Sequence, residues 1–319
     1  MLGRYKIMDT PVYIFTGFLE GGKTTFMKRL LANPVFVTGE KTLIILCEEG
    51  LEELDRNLLN FSNAIVYIVE NEEDLTKELL EKLDKQHEPE RVLIEYNCMW
   101  EFETIINMDL PKWWVKTQVG AIIDSSTFSL YMNNLRSIMA EQFRKADFVL
   151  FNRCDENTNK LGLRGSVKVV NPKAQVIFQL ADGEIDNSQD KLPYDIDSEI
   201  IEVEEYDFGL WYADIMNNID KYVGKKIKLM GQAIKSENYK QGFFILKRKA
   251  MTCCAEDISE LGVLCCSTTS HIPKNKEWIE VIAFINKSDL KRFDTSIPVI
   301  MIEDYIRVDK PKDELIYFY

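Results

Sequence analysis

The sequence predicts a two-domain protein in which an α/β domain with a mainly parallel sheet precedes a small β-rich domain. At 319 residues the chain exceeds the roughly 100–200 residues typical of one domain. Up to about residue 180, short apolar runs alternate with longer segments of helical periodicity, the pattern of a parallel sheet with crossover helices. After Gly224, short strands follow one another closely, which indicates a barrel or a sandwich.

The first domain is predicted to span residues 1–182. Continuous apolar runs such as residues 43–46 suit strands that are covered on both faces. In residues 73–86, leucines recur at helical spacing on one face while Glu and Lys occupy the other. The predicted strands are 12–16, 42–47, 64–69, 91–95, 119–124, 148–151 and 174–178, and the predicted helices include 22–32 and 73–86.

Residues 183–198 are mostly polar and are predicted to link the first domain to a second one over residues 199–319. The second domain begins with a short predicted helix over residues 209–222. The density of strands after it predicts an OB-like barrel or a sandwich. Those strands are 226–233, 242–249, 262–267, 278–285 and 299–308.

The chain is acidic, with a net charge of −13 at pH 7, so we expect no binding to nucleic acid through a basic surface. A basic run at residues 247–249 leaves single-strand binding as a minor alternative. No apolar run reaches the ~18–20 residues that span a bilayer, and residues 1–6 lack the apolar stretch of a signal peptide. We therefore expect a cytoplasmic protein whose seven cysteines are reduced thiols or ligands.

The most specific motif is residues 17–24, which fit the P-loop pattern and lie between a predicted strand and a predicted helix. Backbone N–H groups hold the phosphates in such a loop, and glycines allow it to curl closely around them. Lys23 would reach the β- and γ-phosphates, and the Thr24 hydroxyl would ligate Mg²⁺. The predicted nucleotide contacts are Gly17, Glu20, Gly21, Gly22, Lys23, Thr24 and Thr25.

A second motif indicates the base. Asn152, Arg153 and Asp155 follow the strand predicted over residues 148–151. A carboxylate accepts hydrogen bonds from both N1–H and the exocyclic amine of guanine, whereas adenine offers no such donor pair. The pattern therefore favours guanine, the alternative being a capped loop after a strand.

Two further carboxylates end apolar strands. Glu95 ends the strand over residues 91–95, where it would orient Mg²⁺ or its water beside the γ-phosphate. Asp124 is a weaker candidate, since it also suits the cap of a turn.

These residues together resemble the CobW-type metal-chaperone GTPases, relatives of the UreG and HypB nickel-insertion GTPases, over about residues 10–180. Residues 11–25 are similar to the opening strand and P-loop of the family, and residues 47–50 to its Asn-Glu-x-Gly switch segment. Glu95 takes the place of the glutamate that opens the Glu-x-x-Gly segment, and residues 141–155 match the approach to the guanine motif. The resemblance implies GTP and GDP as ligands, a metal-receiving protein as partner, and a magnesium site of Thr24, Glu48 and Glu95.

The chain also departs from the family. Residues 66–70 contain no cysteine where the metal-binding Cys-x-Cys-Cys is expected. Cys98 replaces the glycine of Glu-x-x-Gly, and Cys47 replaces the asparagine of the switch segment. Arg153 replaces the lysine that would lie over the base. These changes leave nucleotide binding intact but put efficient hydrolysis and ordinary metal delivery in question.

From about Glu199, the chain resembles an uncharacterised domain found in bacterial permease-subunit proteins. The similar segments are residues 222–226, residues 251–257, Pro311 and residues 316–317. This resemblance implies a membrane permease as a partner.

The second domain contains four of the seven cysteines, Cys253, Cys254, Cys265 and Cys266. One interpretation is a zinc site that uses one thiol from each pair, completed by His271 or Asp257. The spacing argues against the simplest version, because adjacent residues of a strand point to opposite faces. Packing of one thiol of each pair in the core and a redox pair between strands are the alternatives.

Taken together, the sequence predicts a GTP-binding protein that hydrolyses GTP slowly with Mg²⁺ and acts in metal homeostasis or metallochaperone-type regulation. Lys23 and Glu95 are the predicted catalytic residues. One alternative is a nucleotide-gated binding module with little turnover that docks a membrane permease or another partner. Another is an ATP-using P-loop enzyme with a small-molecule acceptor. The oligomeric state stays open.

Overall fold

The computed structural model describes residues 9–48, 50–236, 239, 241–251, 258–267, 272–290 and 295–318. The chain divides into two compact units. The first comprises Met1–Thr158 and Asn171–Asn187, and the second comprises Asn159–Val170 and Ser188–Tyr319. Within the described residues, no helix combines the length and apolar character needed to cross a bilayer.

The first unit contains a seven-stranded sheet in which every pair of neighbouring strands is parallel, as predicted. The strands are β1 (Thr10–Thr16), β2 (Thr42–Leu46), β3 (Ala64–Ile68), β4 (Arg91–Glu95), β5 (Trp114–Asp124), β6 (Phe148–Cys154) and β7 (Gln175–Leu180). Their order in the sheet is β3-β2-β4-β1-β5-β6-β7.

Helices cover both faces of this sheet, which explains the continuous apolar strands. Leu43 and Ile45 of β2 share a core with Leu80 and Leu83, whereas Ile44 points to the other face and packs with Met27 and Leu31. The helices of the first unit are α1 (Lys23–Ala32), α2 (Arg56–Phe61), α3 (Lys77–His87), α4 (Phe102–Asn107), α5 (Phe128–Asn134) and α6 (Arg136–Arg144).

Helix α3 begins later than the predicted start at residue 73. Residues Glu72–Asp74 form a single 3₁₀ turn. The Thr76 side chain accepts a hydrogen bond from the N–H of Leu79 and so caps the α-helix. A capping hydroxyl, rather than the first periodic leucine, therefore sets where the helix starts.

The second unit is built on a closed barrel, which decides between the two predicted β architectures. The elements of this unit are α7 (Lys160–Val170), β8 (Ile201–Glu202), α8 (Phe208–Asn217), β9 (Lys226–Ile234), β10 (Phe243–Met251), β11 (Ile258–Ser267), β12 (Glu277–Leu290), β13 (Thr295–Arg307) and β14 (Leu315–Ile316). Strands β10, β11, β13, β12 and β9 pair in that order, and the additional pairing of β9 with β10 closes the barrel. The pairing of β11 with β13 is parallel, and the other four are antiparallel.

Helix α7 lies between β6 and β7 in the chain, yet its contacts group it with the second unit. The predicted domain over residues 1–182 includes this helix, so the structure differs from the prediction here. The physical reason is that α7 packs against α8, and Leu161 of α7 belongs to the apolar core of the barrel.

The segment predicted as a linker, residues 183–198, is anchored at both ends. Gly183 and Glu184 form a turn that returns the chain to β7, where the N–H of Leu180 donates to the Glu184 carbonyl. Farther along, Arg164 pairs with Asp190, and Tyr194 Oη lies 2.7 Å from Tyr222 Oη. The second half of the segment is thus part of the second unit.

Candidate nucleotide-binding site

The P-loop connects the end of β1 to the start of α1 and needs glycine at two points. Gly22 has a φ of +95°, in the left-handed region that side chains rarely adopt. A Cβ at Gly17 would come under 3.0 Å from the carbonyl oxygen of Ile122 on β5. The loop is therefore packed against the neighbouring strand and turned so that helix α1 begins at Lys23.

The Lys23 side chain is 3% exposed and makes three contacts within the first unit. Its Nζ donates to the carbonyl oxygens of Gly17 at 2.7 Å and Phe18 at 3.0 Å. It also lies 2.5 Å from Glu48 Oε2, in the segment that resembles the family's switch. The ammonium group is thus held at the P-loop by two carbonyls and a carboxylate.

Thr24 and Glu95 meet beside this lysine. Thr24 Oγ1 donates to both Glu95 oxygens, at 3.0 and 3.1 Å. Burial raises the pKa of Glu95 to about 7, although Lys23 and the bond from Thr24 act in the opposite direction. The site therefore brings one hydroxyl and the carboxylates of Glu48 and Glu95 together around the P-loop.

This donor set fits magnesium. Mg²⁺ prefers oxygen ligands and is usually held by one or two carboxylates together with substrate phosphates and water. Thr24, Glu48 and Glu95 supply hydroxyl and carboxylate oxygens of that kind. Their role as metal ligands stays a prediction.

The guanine motif is tied to the P-loop through its first two residues. Asn152 Nδ2 donates to the carbonyl oxygen of Gly21 at 2.8 Å, and Arg153 Nη1 donates to the carbonyl oxygen of Glu20 at 3.1 Å. The Asn152 side-chain oxygen is buried and has no hydrogen-bond partner among the described residues. Asn152 and Arg153 thus stabilise the P-loop through hydrogen bonds to its backbone carbonyls.

Arg153 has a second contact that the sequence did not indicate. Its guanidinium forms an ion pair with Asp124, the carboxylate at the end of β5. Desolvation raises the pKa of Asp124, but hydrogen bonds from Ser126 and Arg153 outweigh it and leave that pKa below its usual value. Asp124 therefore holds Arg153 as well as capping the turn through Ser126.

Asp155 is exposed and built into a tight turn. Its Oδ1 accepts hydrogen bonds from the N–H of Asn157 at 2.9 Å and the Thr158 hydroxyl at 3.0 Å. These bonds fix the carboxylate while leaving the side chain open to solvent. An exposed, oriented carboxylate suits recognition of a base edge.

The remaining predicted nucleotide contacts are Glu20, within the P-loop, and Thr25, directly after it. Glu20 has a φ of +59°, and its Oε1 accepts a hydrogen bond from the N–H of Leu51 at 2.9 Å. Thr25, in the first turn of α1, is half-buried. The Glu20 contact connects the P-loop to the segment after Gly50.

One feature of the site has no sequence signal. The rings of Phe18 and Tyr131 stack with centroids 4.0 Å apart and planes 2° from parallel. They line a cavity of about 110 Å³ together with Gly21, Asp124 and Arg153. Phe18 and Tyr131 are far apart in the chain, so no local pattern could reveal the pair.

The cysteines near the P-loop are buried thiols. Cys47 is 2% exposed and Cys98 is 6% exposed, and burial raises the pKa of each to about 12. Burial thus favours the protonated thiol at both positions.

The four cysteines of the second unit are only partly within the described structure. Cys253 and Cys254 lie outside the described residues, as do Asp257 and His271. Cys265 is fully buried in the barrel core, whereas its neighbour Cys266 is half-buried on the other face of β11. Among the described residues, no three or more His, Cys, Asp and Glu side chains are grouped so that they could hold a metal ion, and the zinc site stays a prediction.

We expect Asn152→Ala to loosen the P-loop. The variant loses the bond to Gly21 and leaves that carbonyl without this donor, which should cost about 1–2 kcal/mol of stability and about tenfold in GTP affinity. Thermal unfolding and titration calorimetry would measure both. Asn134→Ala, which removes an exposed amide on α5, is the control. Unchanged GTP affinity in the Asn152 variant would contradict the supporting role.

Comparison with known proteins identifies both parts of the chain. A model of the CobW/HypB/UreG nucleotide-binding domain matches residues 11–178, and the DUF1980 C-terminal domain matches residues 180–318. A Zn(II)-bound triple mutant of the YjiA GTPase is similar at 19% identity over 80% of this chain and 89% of that chain, with a TM-score of 0.43. The hydrogenase maturation factor HypB from Archaeoglobus fulgidus is similar at 16% identity over 54% of this chain and 82% of that chain, with a TM-score of 0.39. No curated protein sequence matches the chain.

The first match covers more than half of the chain and includes the P-loop, Glu95 and the guanine motif, which confirms the resemblance seen in the sequence. The second match begins at residue 180, where β7 ends, and includes all the strands of the barrel. The chain belongs to the CobW/HypB/UreG family of nucleotide-binding proteins, and it joins that domain to a DUF1980 C-terminal domain.

Proposed function

We propose that this protein binds GTP with Mg²⁺ and hydrolyses it slowly, and that the nucleotide cycle regulates the handling of a metal ion. One observation carries the proposal: the side chains of Lys23, Thr24, Glu48 and Glu95 meet at the P-loop. Asn152 of the guanine motif donates a hydrogen bond to the backbone of this loop. Membership of the CobW/HypB/UreG family supports the metal-handling part.

Lys23 and Glu48 form the contact that nucleotide entry would change. Glu48 Oε2 lies 2.5 Å from the Lys23 ammonium nitrogen, the group that would bind a phosphate oxygen. An incoming triphosphate would compete with Glu48 for Lys23, so the Glu48 carboxylate would leave the lysine for the magnesium ion and the segment that carries it would move. The segment would thereby report whether nucleotide is bound.

Hydrolysis requires charge stabilisation more than covalent chemistry. Lys23 would bind the β- and γ-phosphate oxygens, and Thr24 and Glu95 would hold the metal and its water shell. Bound Mg²⁺ would neutralise the negative charge that develops on the phosphates. Asp155, oriented by Asn157 and Thr158, would accept the N1–H and amine hydrogens of guanine.

Cys98 favours a second candidate, a nucleotide-gated binding module with little turnover. This residue replaces the glycine of Glu-x-x-Gly, and its side chain is 6% exposed. A Cβ at this position restricts the backbone conformations by which the segment could approach the γ-phosphate. The partner of such a module would be a metal-receiving protein or a membrane permease that the second unit contacts.

Phosphate release separates the two candidates. With Mg²⁺ and GTP, we expect turnover on the order of 10⁻⁴ to 10⁻² s⁻¹, the range of P-loop GTPases without a partner, and a loss of about tenfold or more in Glu95→Gln. Glu78→Gln on the exposed face of α3 is the control. GTP binding without any phosphate release above buffer would favour the binding module. Tight ATP binding with weak GTP binding would contradict both and favour the ATP-using enzyme.

A further inference from the structure

Three glycines of the second unit pack against one residue, Phe318. A Cβ at Gly162 would come under 3.0 Å from the Phe318 carbonyl oxygen, and a Cβ at Gly165 would come under 3.0 Å from its ring. On α8, a Cβ at Gly209 would lie 3.3 Å from the same ring. Glycine is a poor helix former, so two of them within α7 are explained by this close approach.

The barrel fixes where Phe318 lies. Phe318 is 4% exposed and follows β14, which pairs in parallel with β10 at Ala250 and Ile316. The buried Arg248 of β10 donates to the carbonyl oxygen of Asp313 at 3.3 Å, which holds the segment before β14. A change in β10 would therefore move Phe318 and the helix it contacts.

The other end of α7 leads directly to the guanine motif. Asn159 Oδ1 accepts from the N–H of Gly162 at 3.0 Å, as a helix cap does. The preceding residue, Thr158, exchanges two hydrogen bonds with Asp155, at 2.8 Å to its N–H and at 3.0 Å to its Oδ1. The turn that orients the Asp155 carboxylate is thus continuous with the cap of α7.

We propose that Phe318 is a positioning residue for guanine selectivity, acting through α7 on Asp155. The proposal rests on the proposed function, in which Asp155 reads the base. In this proposal the second unit influences nucleotide selectivity. A partner protein that shifts β10 or β14 would change the preference of the nucleotide site for guanine. By thermodynamic reciprocity, binding of guanine then changes the affinity for that partner.

The test compares GTP with inosine triphosphate, which keeps N1–H but lacks the exocyclic amine from which Asp155 would also accept a hydrogen bond. Calorimetry on the full chain with Mg²⁺ should give a ratio of GTP to inosine triphosphate affinity that falls about tenfold in Phe318→Ala, because inosine triphosphate has only N1–H to lose as a donor to Asp155 whereas GTP also loses the amine. Gly165→Ala should act in the same direction, because its added Cβ would displace the Phe318 ring. Phe318→Leu should restore part of the preference. Phe284→Ala, an exposed phenylalanine of the barrel, is the matched control.

A double-mutant cycle makes the result specific. In Asp155→Ala, which has no base-reading carboxylate, Phe318→Ala should leave the ratio of the two affinities unchanged. An unaltered ratio in folded Phe318→Ala overturns the proposal, and so does an equal loss for both nucleotides. If Phe318→Ala does not fold, Gly165→Ala and Phe318→Leu decide by the same criteria. Absence of any GTP preference in the wild-type chain is a different result, since it contradicts the proposed base recognition itself.

Discussion

Lys23→Ala is expected to lower the affinity for GTP and GDP at least about 100-fold. The lysine would supply charge-assisted hydrogen bonds to phosphate oxygens, each worth about 1.5–3 kcal/mol, and about 1.4 kcal/mol corresponds to tenfold in affinity. Its side chain is 3% exposed and already held at the loop, so little ordering is needed when the phosphates bind. Titration calorimetry with Mg²⁺ measures the loss for both nucleotides.

The variant also removes the partner of Glu48, which would destabilise the free protein. An unpaired carboxylate beside the P-loop is costly, and breaking a buried ion pair typically costs about 3–5 kcal/mol. The double variant Lys23→Ala, Glu48→Gln removes that charge and shows whether lost binding reflects lost folding. Lys28→Ala, at a half-buried lysine of the same helix that pairs with Glu52, is the matched control. A folded Lys23 variant that binds GTP within about threefold of the wild type would contradict the P-loop assignment.

The first unit was predictable because its signals are local. Strand β4 occupies the residues predicted for it, 91–95, since a short apolar run ending in a carboxylate needs no distant information. The positive φ of Gly22 is likewise a local backbone feature that a glycine signals, whereas Gly17 is required by its close approach to β5. In a parallel sheet, the carboxyl ends of β1, β4 and β6 lie at one edge, which brings the P-loop, Glu95 and Asn152 together.

What escaped prediction depends on long-range packing. No local pattern indicated that Arg153 pairs with Asp124; its long, planar guanidinium reaches both Asp124 and the Glu20 carbonyl. Helix α7 joins the second unit through contacts with residues far along the chain. A signal existed in its two interior glycines, Gly162 and Gly165, which a free-standing helix would not favour. Nothing in the sequence around Phe318 indicates that it packs against these two glycines.

Asp155→Asn is expected to exchange the nucleotide that the site prefers. The carboxylate would accept two hydrogens from guanine, whereas an amide offers one acceptor and one donor. Xanthine presents the complementary pair, because a carbonyl replaces its exocyclic amine while N1–H remains. We expect GTP affinity to fall about 100-fold or more and xanthosine triphosphate affinity to rise by a similar factor, since a site built for a hydrogen bond strongly rejects a mismatched group.

The turn around Asp155 should survive this change. Asn157 and Thr158 both donate to Oδ1, and the amide oxygen of asparagine can accept the same two bonds. Asp195→Asn is the matched control, since Asp195 is an exposed aspartate whose Oδ1 also accepts from the N–H two residues later. Competition calorimetry with GTP, xanthosine triphosphate and ATP measures all three affinities on both variants. Unchanged GTP affinity with no gain for xanthosine triphosphate would remove Asp155 from the base site. A reciprocal exchange would assign it there, because neither partial unfolding nor a weakened phosphate loop can raise the affinity for a second nucleotide.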